Sequence, residues 1–463
     1  MVPQEEVEGD KGRIWCIPHH GVYHPKKNTL RVVFDCGAGY QGRYMNSELV
    51  QDPNLTNPLT GVLLRFRLEP IALMADIKSM FNQLRVSKSD IDFLHFLWWP
   101  DGDTEQDPLE HCMLVNLFGA VSSPSCASFA LQRTAQDNPY IRPQVTNAIM
   151  KNVYVDDCLT SLPTVQEAVQ LTSDLVELCS KGGFQLTKWV SSNRTVLSTI
   201  KEEERRKDIR SLHLDKDQLP TDRALGLQWS VEDDTFKFDI IVTKRPYTRR
   251  GILSMESSVY DPLGILAPLA LPAKQLLQQL CKQGYGWDEP IPTAQPRQWI
   301  SWIQDLPKLT DFSVPCCIKP SEFGKPQSLQ LHHFADASEM GYGTVSYLRM
   351  TNGLGEIHVA FMIGKARVAP LKQTTISRFE LAAAVLSVKE DKMLKSVLHL
   401  PLKNSLFWTN SQAVLKYIAN SSVKFHTFVA NRVSVIRENT SSQQCRYIDS
   451  KHNPAYDASR GQL

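Results

Sequence analysis

The stretch IMKNVYVDDCLTS, residues 149–161, decides how this chain reads. Two short apolar runs flank the adjacent acids Asp156 and Asp157, the pattern of a β-hairpin with carboxylates at its turn. On turn chemistry alone such a pair is more often just a turn, because aspartate hydrogen-bonds its neighbouring backbone there. A third acid adds a second reading. From Ile71 an apolar run reaches Asp76 and passes into MFNQLRV, the pattern of a strand whose end leads into a helix, which puts Asp76 at the strand end. If the two strands are neighbours in one sheet, three carboxylates converge. Nucleotidyl transfer asks for that arrangement, since it uses two divalent cations about 3.5–4 Å apart, one at the attacking 3′-oxygen and one at the triphosphate. Hard oxygen ligands favour Mg²⁺ or Mn²⁺ over zinc.

Outward from this centre, Leu30 to Asp35 (LRVVFD) reads as a strand between turn-rich segments. Residues Thr164 to Cys179 carry apolar side chains at helical spacing, with Thr164 and Glu167 suited to a capping box and Gly182-Gly183 to a stop. The stretch KEEERRKDIR, 201–210, interleaves both charge signs and reads as a solvated face. Between about 240 and 320 the chain is rich in proline, with Lys244, Arg245, Arg249 and Arg250 and the tryptophans Trp287, Trp299 and Trp302, which suits a connecting region. From Ser328 strands alternate with helices, one of them starting near Ser377, as in an α/β module.

At 463 residues the chain is long enough for two or three domains. Its 42% hydrophobic and 22% charged residues are those of an ordinary globular protein, not a disordered or fibrous one. Lys plus Arg (51) nearly balances Asp plus Glu (49), so net charge does not identify a nucleic-acid partner, which would need a local basic surface. Ten scattered cysteines without a CxxC pair argue against a zinc ribbon or a secreted disulfide framework and for a reducing, intracellular setting, cytoplasmic or nuclear. The N-terminus MVPQEEVEGDKGR is polar where a signal peptide is apolar, and no run of about 18 apolar residues occurs, so no membrane partner is expected.

Several motifs together carry a resemblance. YVDD at 154–157 resembles the YxDD box of reverse transcriptases, ADIKSMFNQ at 75–83 their first catalytic-aspartate motif, and LFGAVSSPSCASFAL at 117–131 their template-supporting loop and helix. RVVFD, LTGVLLRF, FLWW, YVDD, GGFQLTKWVS, TRRGILS and YDPLGILAP follow one another as in BEL/Pao retroelement polyproteins, and the resemblance covers nearly the whole chain. It implies an α+β and α/β multidomain chain: a reverse-transcriptase palm-type polymerase fold over 1–240, with partial fingers, a thumb or connection region over 241–325, and an RNase H-like α/β domain over 326–463. It makes Asp76, Asp156 and Asp157 the metal ligands for Mg²⁺ or Mn²⁺. Arg31 would meet the nucleotide phosphates, for which guanidinium is well shaped, although an exposed strand arginine is the plain alternative. Phe81 falls where such enzymes block a ribose 2′-hydroxyl, against the plain reading of a core phenylalanine. Gly119 would let the backbone approach the nucleotide, or only serve a turn. Lys188 would stand near the leaving pyrophosphate, or be a surface lysine. The implied partners are an RNA/DNA hybrid, template-primer and dNTPs.

The C-terminal module repeats the carboxylate theme with losses. FADAS at 334–338 and SRFELAAAV at 377–385 resemble the first two ribonuclease H motifs and give Asp336 and Glu380 as metal ligands, although Ser377 and Glu380 also suit a capping box. In WTNSQAVL the usual third acid is Asn410, a poorer ligand for Mg²⁺. In NPAYDASRG, 453–461, the place of the fourth is Tyr456, and Asp457 one residue on is turned by about 100° on a helix. Hybrid cleavage is therefore expected to be weak or absent with the fold retained. No D-S-G or D-T-G protease triplet and no integrase segment occurs, so the chain reads as a fragment or relic. The expected function is RNA-directed DNA polymerization; the alternative is a catalytically silent nucleic-acid-binding protein.

Overall fold

In the computed structural model, which describes residues 14–25, 28–50, 53–292, 297–372 and 374–461, the apolar run from Ile71 is a strand, Ile71–Ile77. Ala72, Leu73, Met74, Ala75 and Ile77 are all buried, which is why the run shows no polar alternation. The strand lies second in a four-stranded antiparallel sheet, in the order Leu186–Ser191, Ile71–Ile77, Asp157–Leu162, Val153–Tyr154. The acidic N-terminal stretch 1–13 lies outside the described residues.

The hairpin is shorter than its sequence suggests. Ile149 to Asn152 belong to a helix, Pro143–Asn152, and only Val153–Tyr154 form the first strand. Val145, Ala148, Ile149 and Asn152 are buried at helical spacing, and Pro143 in the first turn favours a helix start, so this end of the run packs as a helix. The helix Val165–Lys181 forms as expected: the Thr164 hydroxyl accepts the Glu167 amide at 3.2 Å, and the chain leaves through Gly182 and Gly183. After Ile77 the chain makes a short 3₁₀ turn, Met80–Gln83, in place of the expected helix.

The middle of the chain is sewn to its surroundings. Thr221–Ala224, Leu227–Ser230 and Thr235–Lys237 form a sheet completed by Ser313–Pro315, which arrives after three helices, Arg249–Glu256, Ala267–Lys282 and Arg297–Asp305. These helices bury Trp299 and Trp302 in a small core of their own. In YDPLGILAP the Asp261 carboxylate accepts the amides of Ile265 at 2.9 Å and Leu266 at 2.6 Å, just ahead of Ala267–Lys282. Gly264, at φ +70°, lies so close to Gly364 that any Cβ would strike its carbonyl oxygen.

The C-terminal sheet has five strands in the order Ile357–Val368, Gly341–Thr351, Ser328–Ala337, Leu402–Thr409, Cys445–Tyr447, the first three antiparallel and the last two added in parallel. A parallel step needs a crossover, supplied here by the long helix Ile376–Leu398. Ser377 lies inside that helix, whose N-cap is Thr375, so the capping-box reading of Ser377 and Glu380 does not hold. The two sheets share one hydrophobic core, and buried arginines of the helix Leu59–Phe66 and its end tie them together. Arg65 donates to Asn152 and the Val397 carbonyl, both at 2.7 Å, and Arg67 to the carbonyls of Cys316 at 3.0 Å and Phe361 at 3.1 Å. Among the described residues no helix is long and apolar enough to cross a membrane.

Candidate functional site

Two carboxylate centres emerge, one in each sheet. In the first, backbone register does the positioning: Asp76 is the direct cross-strand partner of Asp157, and the Ile77 amide donates to the Asp156 carbonyl at 2.7 Å. The turn between Tyr154 and Asp157 holds Val155 at φ +55°. A β-branched residue is a steric outlier there, so the surrounding pairing imposes the conformation. On the far side of Asp76, a bulge between Thr187 and Val190 sets Lys188 at φ +55°, and its ammonium meets the Asp76 carboxylate at 2.7 Å. Asp76, Asp156, Asp157 and Lys188 are thus brought together.

The electrostatics of this group favour a further cation. Burial, with Asp156 and Asp76 adding to it, pushes the Asp157 carboxyl up to about 6, and burial raises Asp156 as well. Lys188 pulls both down but is 60% exposed, and its ammonium is bonded to Asp76. As placed, no three His, Cys, Asp or Glu side chains among the described residues form a ready metal cage. The donor set itself, three carboxylates of which Asp156 and Asp157 are held up by burial, suits a hard divalent ion.

The other sequence candidates on this side divide. Phe81 is buried and meets Phe118 edge to face, with ring centroids 4.6 Å apart. Gly119, at φ +102°, backs onto the strand Thr29–Phe34, since its Cβ would lie 3.1 Å from the Phe34 carbonyl oxygen. Phe81, Phe118 and Gly119 therefore link the Asp76 strand to the strand that carries Arg31. Arg31 itself is exposed on that strand, opposite Val22, and no contact joins it to the aspartates among the described residues. Sequence reasoning missed Phe118, whose only signal is its place beside Gly119, and Val155, whose strain no composition rule reveals.

The second centre has a different character. Asp336 ends the strand Ser328–Ala337 and is fully buried. Its Oδ1 accepts Asn410 Nδ2 at 2.7 Å; its Oδ2 accepts the Ser459 hydroxyl and, at 2.5 Å, Arg460 Nη1. Glu380 comes from the first turns of Ile376–Leu398, and burial, reinforced by Asp336, pushes its carboxyl up to about 8. Glu380 Oε2 and Asn410 Oδ1 are buried without hydrogen-bond partners among the described residues. Tyr456 turns its ring to Arg460, whose guanidinium carbon sits 3.8 Å from the ring centroid. Asp457 stands near the Tyr347 hydroxyl, whose pKa burial and that nearby charge raise. Ser459 and Arg460 were missed in the sequence although both stand in the quoted NPAYDASRG motif.

Comparison with known proteins agrees with this two-part architecture. A foamy viral protease-reverse transcriptase dRH in complex with ds DNA superimposes with a TM-score of 0.60 at 14% identity, covering 95% of this chain and 66% of the other. A foamy viral protease-reverse transcriptase in complex with RNA/DNA hybrid gives 0.55 at 14% identity, covering 97% of this chain and 51% of the other. The chain thus spans about two thirds and one half of these structures, and at such identity the likeness is one of fold. No curated protein sequence matches the chain. Residues 248–411, which include Asp336, Glu380 and Asn410, match the Pao retrotransposon-like RNaseH-like domain. Residues 248–411 are thus similar to that domain, and the chain as a whole has a mixed α/β fold like that of the foamy viral protease-reverse transcriptases.

Proposed function

We propose that the chain is an RNA-directed DNA polymerase of BEL/Pao descent, with a palm-type fold over 1–240, a thumb or connection region over 241–325 and an RNase H-like domain over 326–463. The observation that carries this reading is the register that sets Asp76 opposite Asp157 beside the forced Val155 turn, because strain held in place by pairing concentrates at functional sites. Asp76, Asp156 and Asp157 would hold Mg²⁺ or Mn²⁺. Such ions, when bound, supply activation of the primer 3′-oxygen and charge neutralisation at the triphosphate.

The chain's own side chains do the rest. Lys188 occupies Asp76 as a mobile counter-ion and, on release, offers its ammonium to the triphosphate. Phe81, backed by Phe118, closes the space beside a ribose 2′-hydroxyl, and Gly119 leaves room for the nucleotide against the backbone. Arg31 meets the phosphates from the exposed strand Thr29–Phe34 when the template-primer closes the gap. The partners are an RNA/DNA hybrid or template-primer and dNTPs.

A second reading, a silent nucleic-acid-binding protein, has the committed oxygens of Asp336 in its favour. Primer extension on poly(rA)/oligo(dT) with Mg²⁺ or Mn²⁺ separates the two. Extension by the wild type and none by Asp156→Asn supports the polymerase. Salt-sensitive hybrid binding without extension by either chain supports the silent binder.

A further inference from the structure

We propose that the C-terminal carboxylate centre is closed by a cation of the chain's own, Arg460, so that it holds no divalent metal ion and instead fastens the last helix, Ala455–Arg460, to the sheet.

The residues present do not fit a metal ion. Asp336 is fully buried and both of its oxygens are committed, Oδ1 to the Asn410 amide and Oδ2 to Ser459 and Arg460. A divalent ion would have to displace a guanidinium that cannot lose its proton and is already paired with a fully buried carboxylate. The two departures from the acidic pattern each contribute to the closure. Asn410 presents a donor to Asp336 where an acid would repel it, and the same amide donates to Ser450 at 2.9 Å. Tyr456 presents a ring face to Arg460, giving the guanidinium a second seat in addition to its carboxylate. Arg460 is thereby held from two sides by its own helix and by the strand Ser328–Ala337.

Closure is independent of the polymerase reading. One consequence does rest on that reading: DNA made by this chain leaves as an RNA/DNA hybrid, whose RNA strand must be removed by a separate phosphodiester hydrolase.

Thermal unfolding of the full chain, with and without Mn²⁺, tests the closure. Arg460→Gln is expected to lower Tm by roughly 5 °C, and Tyr456→Leu, which removes only the ring face, by roughly 2 °C. Any rise of Tm with Mn²⁺ should be the same in wild type and Glu380→Gln, because it would arise at the first carboxylate group. A labelled RNA strand in an RNA/DNA hybrid should stay intact with the full chain and Mn²⁺. The proposal is overturned if both the Arg460 and Tyr456 variants unfold with the wild type, or if Glu380→Gln removes a Mn²⁺-dependent rise. Hybrid cleavage that Glu380→Gln abolishes would overturn it as well.

Discussion

The two carboxylate centres begin from the same material, an aspartate at the end of a buried strand facing further polar groups, and differ in the cation that faces them. Asp76 is met by Lys188, a flexible side chain 60% exposed on a bulge, bonded at a single oxygen. Asp336 is met by Arg460, which is 34% exposed, stacked on Tyr456 and joined on the same carboxylate by Ser459. A lysine ammonium on a four-carbon stem can swing into water at small cost, because exposed ion pairs contribute only about 0–1 kcal/mol. A guanidinium stacked on a ring and paired with a fully buried carboxylate leaves that buried charge without its cation when it departs, at roughly 3–5 kcal/mol. Whether a cluster of acids stays open to an incoming ion depends less on the number of acids than on how firmly their resident cation is held.

The sharpest way to break this comparison is to exchange the centres in an activity assay. Asp157→Asn should lower primer extension by at least about a hundredfold, as removal of groups that hold or orient a metal does, whereas Glu380→Gln should leave it unchanged. An equal loss in both variants would show that the second centre takes part in polymerization. Lys188→Met should raise the KM for dNTP by roughly tenfold, the equivalent of one charge-assisted hydrogen bond, while costing little stability because the lysine is largely exposed. A change in melting temperature with unaltered KM would make Lys188 a structural residue only.

Acid–base behaviour sharpens the contrast further. Glu380 has a folded-state carboxyl raised from an ordinary 4.5 to about 8, so its contribution to stability is fully present below pH 4.5 and is lost as pH rises toward 8. Glu380→Gln should therefore flatten the fall of stability between pH 4.5 and 8 and raise Tm at pH 8, with little effect at pH 4. For Asp157 the window is lower, from 3.8 to about 6, and Mn²⁺ should remove that dependence by stabilising the charged form. The smallest effect concerns the turn: Val155→Gly relieves a left-handed β-branched residue and should add about 1 kcal/mol in denaturant unfolding. The same change should slow extension, since it loosens the placement of Asp156 and Asp157.

Much of the first centre could be read from residue order. An apolar run ending in Asp76, an acid pair between short runs and a capped amphipathic helix after them are local patterns, and each became the expected kind of element. The reading failed where one pattern served two periods. Residues 149–152 are apolar enough for a strand, but the burial of Val145, Ala148 and Ile149 makes them the end of a helix. Ser377 and Glu380 have capping spacing, yet the helix begins at Ile376 and Glu380 turns inward to the Asp336 centre.

Sequence by itself determined which acids are present and which are missing, because Asn410 and Tyr456 stand inside otherwise recognisable motifs. It also determined the alternation of elements, since hydrophobic period is a property of the chain. Only the tertiary structure decided the cross-strand register that sets Asp76 against Asp157, the seat of Arg460 on Asp336, and the buried arginines Arg65 and Arg67 that bind the two sheets. These are contacts between residues far apart in the chain, and their energies come from desolvation and from the direction of hydrogen bonds, which no local pattern encodes.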